Sequence, residues 1–284
     1  MSLPRPIARL VARAKPKIPT ALWPTLLALR SVAGDGPVIG LPRFGRALVL
    51  VAHPDDEAIA CAGTMALLAD AGGDVVLLAV TDGEATIGSP YDPAETGRRR
   101  RAELERSAGI LGARVEAVGL PDGRLHEHRA AVADSLAEAV SRLRPDVVIG
   151  PWLGDGHRDH RAVAFALADA LDRTPPPGDA ELQVWGYETW AAVPHNRLVP
   201  IEDAIDRKRA SVAAHETGSL AFDLSSGLGL SRWRAMHGLL GDGHGEAFLA
   251  TDRPRYLELA RELAAFDDAG CDPTADGAPA GATS

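Results

Sequence analysis

The stretch Ala47-Leu-Val-Leu-Val-Ala-His-Pro-Asp-Asp-Glu57 runs six consecutive apolar residues into a histidine and three carboxylates. An unbroken apolar run without polar alternation describes a strand buried on both faces, as in a parallel sheet. Helical spacing follows from Glu57 to Ala71, and Gly72-Gly73 ends it. The alternation then repeats. Val75–Val80 predicts a second buried strand, Glu95–Leu111 a long charged helix stopped by Gly112, and Val115–Leu120 a third strand. Ala130–Leu143 predicts a helix that cannot run past Pro145. Beyond it come a fourth strand at Asp146–Gly150, a helix at Asp159–Leu171 and a strand at Leu182–Tyr187, and two helices near 203–215 and 253–266 close the pattern. Strands alternating with helices make βαβ units, so the expected fold is α/β, a three-layer sandwich with a mostly parallel sheet.

The 284 residues suffice for one large core. We expect one domain over 45–267, preceded by a basic, Pro-containing extension at 1–44 and followed by a disordered Ala-, Gly-, Pro- and Asp-rich tail at 268–284. A formal charge of −9 argues against nucleic acid as the main partner. Cys61 and Cys271 make no disulfide framework. No window reaches the roughly 18 to 20 apolar residues of a membrane span, and the start lacks a signal-peptide core. The expectation is a cytoplasmic protein without a membrane span.

Two polar clusters stand where predicted strands end. The first is His53-Pro-Asp-Asp-Glu57, after strand one; the second is Asp155-Gly-His-Arg-Asp-His160, after strand four. In parallel sheets, ligands gather outside the carboxyl ends of the strands, so both clusters fall on the binding edge. A single acidic residue at a helix start is usually a cap. Three carboxylates in a row exceed what one cap needs, and their repulsion favours a cation among them. With three histidines at the same edge, a divalent metal is the simplest stabiliser. Two imidazoles and one carboxylate with a place left for water make a hydrolytic zinc arrangement, whereas oxygen ligands alone would suggest magnesium. Residues able to act as a proton acceptor and as an oxyanion donor are present in the same clusters.

Ala52-His-Pro-Asp-Asp-Glu57 together with His157-Arg-Asp-His160 resembles the signature pair of the LmbE-like (PIG-L) superfamily of zinc N-deacetylases. Thr81-Asp-Gly-Glu84, Arg100-Arg-Ala-Glu103, Leu120-Pro-Asp-Gly123, Lys208 with His215 and Gly245-Glu-Ala-Phe248 fit as well, and the similarity covers roughly 46 to 266. The resemblance implies a Rossmann-like fold with Zn2+ held by His53, Asp56 and His160. It implies Asp55 as the general base that deprotonates the zinc-bound water, His157 as the aid to the tetrahedral intermediate, and Asp159 as the residue that orients a histidine. Arg100, Arg101 and Asp82 are candidates for substrate contact, against the plainer readings of an exposed basic helix and a turn. The substrate class implied is a small N-acylated molecule, most simply an N-acetylated amino sugar. One departure is Asp155, which stands where some sugar deacetylases of this superfamily carry a catalytic tyrosine. Proton delivery to the leaving amine then falls to Asp55 by default. Ser219–His244 is expected as a loop over the site; its Trp233, Met236 and His237 could form an apolar lid, against the commoner fate of packing onto the domain.

Three other readings remain: an amidase acting on a thiol-conjugate or natural-product amide, a magnesium-dependent phosphoryl-transfer protein, and a binding module without activity.

Overall fold

Alternate residues of the apolar run face opposite sides of the sheet. Ala47, Val49 and Val51 join a core with Met65, Leu68, Leu104 and Leu111. Leu48, Leu50 and Ala52 join a second core with Leu136, Val163, Leu167 and Leu259. A helix layer therefore covers each face of the sheet. The structure is a computed structural model and describes residues 38–174, 182–238 and 242–267.

In chain order the main elements are β1 (Val38–Ile39), β2 (Arg46–Val51), α1 (Asp56–Ala60), α2 (Ala62–Asp70), β3 (Asp74–Ala79), α3 (Pro93–Leu111) and β4 (Arg114–Ala117). They continue with α4 (Arg129–Leu143), β5 (Val147–Pro151), α5 (Arg158–Arg173), β6 (Gln183–Tyr187), β7 (Arg197–Pro200), α6 (Ile205–Ala214), α7 (Ser226–Gly238), β8 (Gly245–Asp252) and α8 (Arg253–Asp267). The strands form one eight-stranded sheet in the order β1-β7-β8-β6-β5-β2-β3-β4. Only β8 runs antiparallel to its neighbours, β6 and β7; every other pairing is parallel. The mostly parallel three-layer α/β architecture read from the sequence is therefore the architecture observed.

The chain passes from β2 outward through β3 and β4, then returns to place β5 on the other side of β2. That reversal is a topological switch point, where the loops leaving two adjacent strands part and open a crevice. The two polar clusters are those loops.

Several local expectations change. The helix read over 57–71 is two helices, broken at Cys61. Lys208 Nζ donates to the Ile59 carbonyl (2.8 Å), while the Glu246 carboxylate accepts from Gly63 N–H (3.0 Å) and Thr64 N–H (2.7 Å). These side chains satisfy the backbone groups that the break leaves without helical partners. Val38–Ile39 pairs with β7, so the sheet begins inside the stretch expected as the N-terminal extension. Residues 40–44 of that stretch are also described, with the Phe44 ring edge-on to Trp185, while residues 1–37 and the expected tail at 268–284 lie outside the described residues. The expected loop at 219–244 contains α7, and β7 and β8 had no counterpart in the sequence reading. Among the described residues, no helix is long and apolar enough to cross a membrane.

Candidate metal centre and active site

The end of β2 and the start of α1 carry His53, Asp55 and Asp56. Asp55 sits at φ +144°, a conformation that L residues rarely adopt and that costs on the order of 1–3 kcal/mol. Its strain turns the carboxylate back into the site, where Arg100 of α3 receives it: Arg100 donates to Asp55 Oδ2 at 2.7 Å and to the Pro54 carbonyl at 2.6 Å. Helix α3 is capped at both ends. Asp92 caps it by accepting from Glu95 N–H, Pro93 opens it, and Gly112 closes it in a left-handed turn. The main chain of Gly218 lies against Asp55 on the other side; a Cβ there would stand 2.8 Å from Asp55 Oδ2.

Asp56 Oδ2 accepts from the backbone N–H groups of Ala52 (2.8 Å) and His53 (2.9 Å), which leaves Oδ1 facing His160 Nε2 at 3.1 Å. His53 Nε2 faces Asp122 Oδ1 at 3.1 Å and Asp159 Oδ2 at 3.3 Å, while its Nδ1 is 3.3 Å from His160 Nε2. Asp159 is itself fixed, accepting from Gly123 N–H (2.7 Å) and Leu125 N–H (3.0 Å). On the far side of His160, Nδ1 meets Asp155 Oδ1 at 3.2 Å and Thr189 Oγ1 at 2.8 Å. His157 caps α5; its Nδ1 accepts from Asp159 N–H at 3.2 Å, so the neutral ring carries its hydrogen on Nε2.

The charges are unbalanced, and the ionisable groups shift in response. Burial would lower the His53 imidazole, but hydrogen bonds to Asp122 and Asp159 and the charge of Asp56 overcome it and raise the pKa to about 10. Burial likewise opposes the carboxylates around His160, which raise it to about 9. Burial, with Asp56 adding to it and Arg100 opposing it, lifts Asp55 to about 6. His157 moves the other way, lowered by burial and by the charges of His53 and His160. Two imidazoles held as cations among carboxylates mark a place where a positive ion is stabilised, and a metal can take the place of those protons.

Two donor sets could hold that ion by proximity alone: His53, His157 and His160, or His53, Asp122 and Asp159. A third set lies around His160 Nε2. His53 Nδ1, His160 Nε2 and Asp56 Oδ1 have separations of 3.3 and 3.1 Å where measured from His160. A tetrahedral ion with ligands at 2.0–2.1 Å spaces them by roughly 3.3 Å. The outer atoms of both histidines already face carboxylates, an arrangement that fixes ring orientation in metal sites. The residues present therefore fit a zinc-type ion.

A family model described as PIG-L, GlcNAc-PI de-N-acetylase, matches residues 48–171. The chain is 31% identical over 188 residues to a diacetylchitobiose deacetylase of Thermococcus kodakarensis, a match covering 61% of this chain and 69% of that protein. The chain belongs to the PIG-L (LmbE-like) family. It is 37% identical over 156 residues to a 1D-myo-inositol 2-acetamido-2-deoxy-alpha-D-glucopyranoside deacetylase of Corynebacterium diphtheriae, covering 45% of this chain and only 53% of that relative. Among solved structures, the N,N'-diacetylchitobiose deacetylase of Pyrococcus horikoshii has the same fold, with a TM-score of 0.63 at 25% identity, covering 75% of this chain and 86% of that one.

The segment matched by the PIG-L model carries His53, Asp55, Asp56, Arg100, Asp122, Asp155, His157, Asp159 and His160. Thr189, Lys208, His215 and Glu246 lie beyond it. Of the residues singled out from sequence, the structure brings His53, Asp55, Asp56, His157, Asp159 and His160 into one crevice. Arg100 is buried and committed to Asp55 rather than lying on an exposed basic face. Arg101 and Asp82 instead form a partly exposed pair with each other at 3.7 Å. Sequence reading left out Asp122, Thr189 and the orienting position of Asp155. Asp122 was visible only as part of a Pro-Asp-Gly turn. Trp233 stacks on His237 along α7, and the aromatic ring beside His157 is Trp190 instead.

Proposed function

We propose that this chain hydrolyses the N-acetyl amide of an amino-sugar substrate with a bound zinc ion. The observation that carries the reading is the donor triangle of His53 Nδ1, His160 Nε2 and Asp56 Oδ1, with Asp55 held beside it by Arg100. The names of the relatives supply the substrate class, since both act on N-acetylated glucosamine derivatives.

In this reading His53, Asp56 and His160 hold the metal. Asp122 and Asp159 fix the His53 ring, and Asp155 with Thr189 fixes His160. Zinc, when bound, supplies Lewis acidity that makes water acidic and the amide carbonyl electrophilic. Asp55 receives the proton of the attacking water; Arg100 occupies Oδ2 and leaves Oδ1 for it. His157 presents Nε2–H to the carbonyl oxygen as negative charge develops there. The C–N bond then breaks, and the proton on Asp55 passes to the departing amine, giving acetate and a free amino sugar. Asp155 is engaged with His160, Thr189 and the His157 backbone, so the acid step falls to Asp55. Arg100 works through Asp55, while Arg101 and Asp82 stand at the outer rim.

The test is metal content of the purified chain combined with amine release from a panel of N-acetylated sugars, with and without chelator. About one zinc per chain and chelator-sensitive amine release are expected. Zinc without amine release from any sugar would defeat the amino-sugar assignment, and magnesium without zinc would defeat the metal.

A further inference from the structure

The loop that follows β6 carries two neighbouring side chains whose partners lie on different helices. Thr189 reaches the metal centre: its Oγ1 lies 2.8 Å from His160 Nδ1 of α5, and its hydroxyl donates to Asp155 Oδ2 at 3.0 Å. Glu188, one residue earlier, is buried against Arg234 of α7. Arg234 Nε donates to Glu188 Oε1 at 2.7 Å and Nη2 donates to Oε2, a two-point grip that fixes the plane of the carboxylate. The same guanidinium donates through Nη2 to the Val193 carbonyl (3.3 Å) and through Nη1 to His195 Nδ1 (3.0 Å), while Glu188 Oε2 accepts from Val193 N–H at 2.9 Å. One arginine of α7 thus ties the loop together from Glu188 to His195. It is buried, although Trp233 and Met236 of the same turn face solvent. A buried ion pair is weak evidence for stability, because apolar side chains of similar size would pack there without taking two charges out of water. What this pair supplies is direction.

We propose that Arg234 is a positioning residue for the metal centre: by gripping Glu188 it holds Thr189 Oγ1 against His160 Nδ1 and so keeps His160 Nε2 aimed at the ion. The proposal rests on the zinc reading of the donor triangle. To offer a lone pair at Nε2, the neutral His160 ring must carry its hydrogen on Nδ1. Thr189 Oγ1 accepts that hydrogen while its own O–H is turned to Asp155, so the hydroxyl selects the ring form that binds metal. The backbone at Thr189 must be held for this to work, and the neighbouring Glu188 is where α7 holds it. Asp155 Oδ1 also faces His160 Nδ1 at 3.2 Å, so losing the grip loosens the ion without abolishing its site. Helix α7 therefore acts on the metal from outside the donor set, through one loop.

The experiment measures zinc affinity by chelator competition, beside thermal unfolding of the chelated chain, for wild type, Arg234→Met, Arg234→Lys, Thr189→Val and the double variant Arg234→Met/Thr189→Val. Removing an outer partner of a metal-bound histidine weakens metal binding about 10–100-fold, so Thr189→Val is expected to bind zinc at least about tenfold more weakly. Arg234→Met is expected to fall by a similar factor, and Arg234→Lys, which keeps the charge but not the fork, to recover only part of it. The double variant decides the route. If Arg234 acts through Thr189, Arg234→Met weakens zinc little further in the Thr189→Val background. A folded Arg234→Met with wild-type zinc affinity overturns the proposal, and so does a second full loss in the double variant, as a purely structural role would give. Should Arg234→Met fail to fold, Arg234→Met/Glu188→Leu removes both charges together. That pair is expected to unfold near the wild-type temperature and still bind zinc about tenfold more weakly; wild-type affinity there overturns the proposal. A wild type that binds no zinc would defeat the metal reading instead. The grip is then read from the imidazole N–H resonances of the isotope-labelled, metal-free chain. A His160 signal protected from exchange in wild type and lost in Arg234→Met is expected, and equal signals overturn it.

Discussion

Helix α1 separates two buried polar regions that manage charge in opposite ways. On one side, Glu57 pairs with His215 (2.6 Å) and accepts from Ser107 (2.7 Å), and Glu246 pairs with Lys208 (2.7 Å) while accepting from Thr64. Each carboxylate there has its own cation. On the other side, Asp55, Asp56, Asp122, Asp155 and Asp159 surround two imidazoles and the Arg100 guanidinium. Burying charge is tolerable only when it is paired and hydrogen-bonded. In the first region each of these carboxylates meets a basic side chain as folded, with Glu57 Oε2 and His215 Nδ1 left without hydrogen-bond partners, and Glu246 with Lys208 holds the broken helix in place. The second stays in excess negative charge and approaches balance only by keeping protons on its histidines or by binding an ion, which is the condition of a site.

The sharpest way to break the comparison is to remove one member of each region. Asp55→Ala is expected to keep its metal while turnover falls by about 10²–10⁴-fold; His53→Ala is expected to lose the metal itself. Metal analysis beside rate measurement separates the two. Near-normal turnover of Asp55→Ala would end its assignment as base. In the balanced region, Lys208→Met leaves Glu246 buried without its cation, and about 3–5 kcal/mol of stability should be lost, as read by denaturant unfolding. The folded fraction should still bind metal. Loss of metal without loss of stability would mean that the two regions are not separate.

A smaller effect tests the imbalance directly. His53 and His160 have folded pKa values raised to about 10 and about 9 from 6.5. Their contribution in the metal-free chain is therefore fully present below pH 6.5 and lost as pH rises through 9 and 10. The two charges share a 3.3 Å gap, and their repulsion offsets part of the gain. Thermal unfolding of chelated protein should accordingly shift to lower temperature between pH 6.5 and 10, and added zinc should flatten that slope. A slope unchanged by zinc would show that the ion does not replace those protons.

The fold was legible where its signal was local. The run 47–52 announced a strand buried on both faces, and the repeated alternation announced a mostly parallel sheet. The strands β7 and β8 escaped because their patterns are short or mixed: Arg197–Pro200 ends on proline, and Gly245–Asp252 buries a glutamate inside the strand. The break of the 57–71 helix also escaped, since Glu246, 183 residues from Gly63, supplies the hydrogen bond that makes it possible.

Within the site, the two motifs were visible because each sits at the carboxyl end of a strand, and a chain's own order shows where its strands end. By themselves the residues established a cluster of imidazoles and carboxylates at one sheet edge, an excess of negative charge and the chemistry those groups can share. Only the tertiary structure decided which atoms face inward. It turned Arg100 toward Asp55 across 45 residues, set Thr189 on His160 across 29, and brought the Asp122 turn against His53. It also made Asp155 the partner of His160 and left Trp190 open beside His157. Spacing along a chain determines which face of an element a residue occupies, but contacts between elements depend on how strands pair and helices pack, and those follow from burial summed over the whole core.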